Sequence, residues 1–191
     1  PPSSLTGYVK SRPDLEIPDI QMFFRPMSMS ARQWFPGILP PSEQTYAFRA
    51  CLLRPESRGT VCLASADPFA HPAIDPNYLE AEEDRRAMRE AVKMLRDLCS
   101  QNALKPFTGA EMMPGESVKT DEDIDAFIRR TGETIYHPVG TVAMGAGDDS
   151  PVDGELRVRG VEGLRVVDAS VIPTLIGGNT NAPTIMIAEK A

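Results

Sequence analysis

Proline most constrains the fold of this chain. Its 191 residues contain 18 prolines, most of them in the first half. Because proline lacks a backbone N–H and fixes φ, such a segment cannot form long helices or central strands without interruption. The first half of the chain is therefore predicted to consist of short elements joined by turns.

Stretches with two-residue apolar alternation lie between these prolines, a pattern typical of strands with one buried face. They are residues 20–24, 46–52 and 61–63, followed by a short extended stretch around Ile74. The five-residue loop 55–59 predicts a hairpin between the second and third stretches, with Gly59 available for a positive φ. In that hairpin Cys51 and Cys62 are not cross-strand partners, so no disulfide is expected between them.

Two amphipathic helices are predicted next. The first has Met88, Val92, Leu95 and Cys99 on one face and acidic residues at 82–84 in its first turn. We interpret its opposite, basic face as solvent-exposed. That face carries Arg85, Arg86, Arg89, Lys93 and Arg96.

The second helix has a clear start. Thr120 is a candidate N-cap with Asp123 three residues later, and Gly132 can end the helix in a left-handed conformation. Its apolar stripe comprises Ile124, Phe127 and Ile128.

The composition changes after Gly132, where glycine, valine, aspartate and asparagine become frequent. Residues 156–159 and 164–167 are strand candidates, and Pro183 fits the first position of a final helix. The pattern predicts an α+β fold, a mostly antiparallel sheet flanked by helices.

Charge and composition argue against several classes of protein and site. The net charge is −7, and no basic cluster interrupts it, so nucleic-acid binding is not expected. No apolar run approaches the ~18 residues of a membrane span. The three cysteines form no CxxC pair and the two histidines are far apart, which predicts no metal site and reduced thiols in a cytoplasmic protein.

His137 is the strongest candidate for chemistry. Pro138 holds it outside helical geometry, and imidazole titrates where a general base must; a purely structural histidine is the alternative. Asn181 either presents its amide at an anion-attracting helix N-terminus or caps the helix. Asp168 either binds a ligand hydroxyl or starts a turn with Ser170.

Two further motifs are only weak indications of function. His137, Asp168 and Ser170 contain the residue types of a hydrolase triad, but Ser170 does not stand in a GxSxG elbow. The sequence 145–147 is GAG without the third glycine of a dinucleotide fingerprint, and no convincing strand precedes it.

Three ordered motifs carry a resemblance to a known family. They are YHPVGT at 136–141, GVEGLRVVDAS at 160–170 and GNTNAPTIMIAEK at 178–190. Together they resemble the C-terminal signature of the glucose–methanol–choline (GMC) oxidoreductases, most closely the choline dehydrogenase-like branch. Residues 53–59 and 75–79 are also similar to that family.

The resemblance implies an FAD enzyme that oxidises a primary alcohol to an aldehyde by hydride transfer to the flavin. It implies that His137 is the base for the substrate hydroxyl and that Asn181 is the second catalytic residue. The positions expected to contact the flavin or lie beside it are Tyr136, Asp168, Ala169 and Pro183.

The nucleotide-binding GxGxxG unit of that family does not occur in these residues. The resemblance therefore implies a C-terminal portion, with a substrate domain at 1–135 and an active-site tail at 136–191 that packs on an N-terminal FAD-binding domain. Alone, this portion is expected to be inactive and to bind no FAD. A non-catalytic binding module of the same fold is the alternative, which the presence of both His137 and Asn181 disfavours.

Overall fold

The computed structural model describes residues 5–28, 31, 35–38 and 44–191. Within these residues the architecture is α+β, as predicted, with two antiparallel sheets and three α-helices. The chain divides into two compact units. No helix of the described residues is long and apolar enough to cross a membrane.

The first unit comprises the described residues up to Leu52 and Arg85–Gly132. Its sheet has three antiparallel strands, with the second in the centre. The strands are β1 (Leu5–Val9), β2 (Ile20–Arg25) and β3 (Ala47–Leu52). The predicted alternation is confirmed, because Ile20 and Met22 share a buried face of the central strand.

Helix α1 (Glu82–Ser100) contributes to the core that covers this sheet. The predicted residues Met88 and Leu95 pack at the edge of that core, whereas Ala87 and Ala91 are buried in it with Ile20 and Met22. Alanine takes these positions because its small side chain lets the helix backbone approach the sheet.

The basic face of α1 is solvent-exposed at Lys93, as interpreted, whereas Arg89 and Arg96 are partly buried in ion pairs. Its long side chains reach acceptors on neighbouring segments. The ion pairs are Arg89–Asp125 at 2.8 Å, Lys93–Asp121 at 2.8 Å and Arg96–Glu111 at 2.9 Å, and Arg86 donates to the Ser11 hydroxyl at 3.0 Å.

Helix α2 (Asp121–Thr131) begins with the predicted capping box. The Asp123 N–H donates to Thr120 Oγ1 at 3.2 Å, and the Thr120 N–H donates to the Asp123 carboxylate at 3.0 Å. The prediction for Gly132 is wrong, since its φ is −64°. Glycine is needed there because a Cβ would stand 2.8 Å from the Ile128 carbonyl oxygen.

The second unit comprises Leu53–Asp84 and Glu133–Ala191. Strands β4 (Thr60–Cys62) and β5 (Ala73–Asp75) pair antiparallel in it. The predicted hairpin between the stretches at 46–52 and 61–63 is therefore wrong, because β3 pairs with β2 instead.

A buried carboxylate accounts for that difference. Asp84, 2% exposed, accepts the N–H groups of Glu56 and Ser57 at 2.8 and 2.9 Å and the Ser57 hydroxyl at 2.5 Å. Gly59 then lies against the backbone of β5, where a Cβ would overlap the Asp75 carbonyl oxygen. The loop is shaped by Asp84 and β5, and Gly59 has no positive φ.

The cysteines are all unpaired. Cys51 is buried in β3, and burial raises the pKa of its thiol. Cys62 is exposed in β4 of the other sheet.

After Glu133 the chain is mostly irregular around a small core. The two predicted strands form only isolated bridges, such as Arg157 with Arg165. Positive φ angles at Leu156, Gly160 and Gly163 bend the chain and prevent longer pairing. The core is formed by Val152, Leu156 and Val171. Short 3₁₀ helices occur at Lys105–Phe107 and Ala169–Val171, and the final helix α3 spans Asn181–Lys190.

Candidate active site

The segment that follows His137 is tied to the 3₁₀ helix at Ala169–Val171. The N–H groups of Gly140 and Val142 both donate to the Ser170 carbonyl, at 3.0 and 3.1 Å, and the Met144 N–H donates to the Val171 carbonyl at 2.9 Å. Gly140 adopts a φ of +88°, which favours glycine. These bonds fix the backbone next to the histidine.

The His137 ring is half-buried and has a partner at each nitrogen. Nε2 lies 3.2 Å from Asn179 Oδ1, and Nδ1 lies 3.0 Å from Thr180 Oγ1. Both partners stand immediately before Asn181. The structure therefore brings the candidate base to the start of the helix that carries the second candidate catalytic residue.

Of the two alternatives for Asn181, the one in which it caps α3 is wrong. Thr180 occupies the N-cap position, and Asn181 is the first helical residue, with an exposed side chain. Pro183 is the third helical residue and not the first. It is tolerated because N–H groups of the first turn have no intrahelical partner.

The N-terminus of α3 has no side-chain cap. The Thr184 N–H bonds the Thr180 carbonyl at 3.0 Å, and Pro183 has no N–H to donate. The N–H groups of Asn181 and Ala182 make no hydrogen bond to the described residues. The positive end of the helix dipole is thus free to face a negatively charged group.

Asp168 starts a turn, as one interpretation of the sequence predicted. Its carboxylate accepts the Ser170 N–H at 2.7 Å. Hydrogen bonds from Ser170, first its hydroxyl and then its N–H, lower the pKa of Asp168. A catalytic triad needs a nucleophile–base–acid chain of hydrogen bonds; within the described residues His137 instead contacts Asn179 and Thr180.

The remaining predicted site residues lie in the same unit. Tyr136 has a φ of 63° and is 80% exposed. Ala169 is in the 3₁₀ helix and Pro183 in the first turn of α3. Within the described part of the chain no cluster of metal-ligating side chains occurs.

Sequence reasoning missed three residues of this site. Asn179 and Thr180 are the partners of the His137 ring, and Arg54 lies over the loop before them: a Cβ on Gly177 would be 2.8 Å from its guanidinium. The position of Asn179 and Thr180 beside Asn181 was the available signal. Nothing local to Arg54 pointed to this loop.

The family of this chain follows from comparison with known proteins. The family model described as GMC oxidoreductase matches residues 55–188, so the chain belongs to the GMC oxidoreductase family. It is 43% identical over 187 residues to the mitochondrial choline dehydrogenase of Mus musculus, covering 97% of this chain and 31% of that protein.

A second relative is bacterial. The oxygen-dependent choline dehydrogenase of Acinetobacter baumannii (strain AYE) is 42% identical over 184 residues, which cover 96% of this chain and 33% of that protein. The chain thus spans about a third of the length of the curated relatives it matches.

Solved structures confirm the fold. Pyridoxine 4-oxidase from Mesorbium loti superposes with a TM-score of 0.82 at 30% identity, over 96% of this chain and 36% of that chain. A variant of the formate oxidase from Aspergillus oryzae RIB40, studied for FAD modification, gives a TM-score of 0.80 at 31% identity, over 92% and 31%.

Proposed function

We propose that this chain is the C-terminal, substrate-binding and catalytic portion of an FAD-dependent alcohol oxidoreductase. The proposed reaction oxidises a primary alcohol to an aldehyde, as in a choline dehydrogenase. The observation that carries the proposal is the contact of the His137 ring with Thr180, directly before Asn181 at the start of α3. The family and its choline dehydrogenase relatives supply the reaction class.

The residues present fit the flavin end of FAD. The uncapped N-terminus of α3 favours negative charge, which reduced flavin carries on its pyrimidine edge. Asp168, Ala169 and Pro183 are proposed to contact the flavin, with Tyr136 beside it. When bound, FAD accepts the hydride from the alcohol carbon.

His137 and Asn181 are proposed to act on the alcohol oxygen. The imidazole takes the hydroxyl proton, which makes the attached carbon a better hydride donor. The Asn181 amide donates a hydrogen bond to the same oxygen as negative charge develops on it. Loss of that proton and of the hydride leaves the aldehyde.

The proposed partner within the parent protein is an N-terminal FAD-binding domain. The 191 residues contain no glycine-rich phosphate-binding motif for the adenosine half of FAD. The exposed apolar side chains of Ile185 and Met186 on α3 are consistent with burial against such a domain. The unpaired thiols support a cytoplasmic location.

His137→Ala in the full-length, FAD-loaded protein tests the proposal. With saturating choline or another primary alcohol, anaerobic stopped-flow should show flavin reduction slowed about 10²–10⁴-fold, the usual effect of losing a positioned base. Flavin content should stay near that of the wild type. The matched control is His71→Ala, since His71 is exposed on the β4–β5 segment. Flavin reduction at the wild-type rate in His137→Ala would remove His137 from the mechanism.

A further inference from the structure

We infer that Thr180 is a positioning residue for His137: its hydroxyl holds Nδ1 and so leaves Nε2 as the nitrogen that takes the substrate proton. This inference rests on the proposed function, in which His137 is the base. It assigns a role to a residue for which the sequence pattern indicated none.

Thr180 is at the N-cap position but does not cap. An N-cap threonine is normally extended and accepts an N–H of the first turn. Thr180 has φ −83° and ψ −14°, and its side chain makes no cap hydrogen bond. Its hydroxyl lies 3.0 Å from His137 Nδ1 instead. The Thr180 side chain therefore bonds the imidazole and leaves the N-terminus of α3 without a side-chain cap.

Burial and hydrogen bonds hold Thr180 in place. The residue is 8% exposed, and its carbonyl accepts both the N–H and the hydroxyl of Thr184, at 3.0 and 2.7 Å. Because these bonds belong to the first turn of α3, the same turn orients the His137 ring and carries Asn181. The two proposed catalytic side chains are thus linked through one rigid element.

A hydroxyl suits this role because it both donates and accepts. The Asn179 Oδ1 atom can only accept, so while it bonds Nε2 the ring proton is on that nitrogen and the Thr180 hydroxyl donates to Nδ1. When an alcohol replaces Asn179, the base tautomer has its proton on Nδ1, which donates to Thr180 Oγ1, and Nε2 has a lone pair for the substrate proton. After Nε2 takes the substrate proton, the bond from Nδ1–H to Thr180 is unchanged. The ring therefore keeps its orientation through the proton transfer.

The two sides of the ring differ in exposure. Thr180 at Nδ1 is buried, whereas Asn179 at Nε2 is exposed. The amide oxygen of Asn179 lies 3.2 Å from Nε2, where the inference requires the alcohol oxygen to bind. An incoming alcohol can displace an exposed amide, but it cannot reach Nδ1 past the buried threonine.

The experiment compares Thr180→Val, which keeps the shape but removes the hydroxyl, with Thr180→Ser, which keeps the hydroxyl. Both are made in the full-length, FAD-loaded protein. We expect Val to lower the limiting rate of flavin reduction by the primary alcohol that the wild type oxidises about 10–100-fold, the range for misplacing a reacting group, with KM changed less than about threefold. Ser should restore the rate to within about threefold of wild type.

A second measurement does not depend on activity. Diethylpyrocarbonate modifies accessible neutral imidazole, and peptide mass spectrometry gives the rate separately for His137 and His71. Thr180→Val should raise the rate at His137 several-fold, because the ring loses its anchor, and leave His71 unchanged. Thr180→Ser should match the wild type at both.

The outcomes distinguish the role of Thr180 from the proposed function. A Val variant that reduces its flavin at the wild-type rate overturns the role of Thr180, as does a Ser variant as slow as Val. A slow Val variant with unchanged modification of His137 also contradicts the inference, because the effect then does not act through the ring. If the wild type shows no alcohol-dependent reduction, the proposed function fails, and the modification rates alone decide whether Thr180 anchors His137.

Discussion

The interpretation of Asn181 depends on the position of its neighbour, Thr180. As a cap it would be structural, but Thr180 takes the N-cap position and Asn181 projects from the first helical position with an exposed side chain. A substitution there can therefore change the proposed chemistry without removing a cap.

We predict that flavin reduction in the full-length protein is fastest with Asn181, slower with Asn181→His and slowest with Asn181→Asp. Aspartate cannot donate a hydrogen bond and adds negative charge beside the developing alkoxide, so a loss of about 10²-fold or more is expected. Histidine retains a donor. Anaerobic stopped-flow measures the order.

Melting curves provide the control for this series. Aspartate in the first turn of α3 interacts favourably with the helix dipole, so Asn181→Asp should melt at or slightly above the wild-type temperature. An Asp variant that reduces its flavin as fast as wild type would contradict a role of the amide at the substrate oxygen.

At the scale of elements, buried or capping carboxylates determine where helices begin and how loops turn. Asp84 in the first turn of α1 holds the loop that leads into β4, and Asp123 closes the capping box of α2. Both acids lie near helix N-termini, where the dipole favours them, but only Asp84 bonds a segment distant in sequence.

We predict that Asp84→Ala destabilises the full-length protein by about 2–4 kcal/mol, because two backbone N–H groups lose a charged acceptor in a buried setting. Chemical denaturation measures the loss. Glu122→Ala is the matched control, an exposed acid in the first turn of α2, and should change stability by less than about 0.5 kcal/mol. Equal effects of the two variants would show that Asp84 does not hold the loop.

The capping box of α2 should weaken in acid. The N–H groups of Thr120 and Lys119 bond the Asp123 carboxylate and lower its pKa in the folded state. Its contribution is therefore complete above the ordinary value of about 3.9 and is lost as pH falls through the lower folded value. Hydrogen-exchange protection in α2 should drop over that window.

The comparison variant is Asp123→Asn, which cannot titrate. Its α2 protection should depend less on pH over the same window than that of the wild type. An identical pH dependence in the two proteins would assign the acid sensitivity to other groups.

At the scale of the whole molecule, α3 has no buried residue although its sequence contains several apolar side chains. Ile187 packs on the core of Val152, Leu156 and Val171, whereas Ile185 and Met186 are more than half exposed. A helix with apolar side chains on several sides is expected to be covered by further protein. The chain spans about a third of the length of its curated relatives, and the proposed partner of this helix is the FAD-binding domain.

We predict that the 191-residue chain expressed alone is colourless and reduces no dye in the presence of an alcohol, because its sequence contains no glycine-rich phosphate-binding motif for the adenosine half of FAD. The measurement is the visible absorbance of the purified protein after incubation with FAD and gel filtration, with the full-length protein as the positive control. A yellow fragment with stoichiometric FAD would contradict this prediction.

The sequence by itself determined the features that depend on near neighbours. The Thr120–Asp123 capping box, the apolar stripe of α2 and the alternation in β2 act over a few residues, so their patterns were sufficient. The three motifs at the C-terminal end likewise identified the family and the candidate residues His137 and Asn181.

Tertiary structure alone decided the features that depend on distant partners. The carboxylate that turns the 55–59 loop is Asp84, 28 positions from Glu56, so a local hairpin rule chose the wrong partner for β3. The hydroxyl of Thr180, at the N-cap position of α3, bonds His137, 43 positions away. In each case a buried polar side chain is bonded to a partner distant in sequence, and a bond of that kind cannot be found from a local pattern.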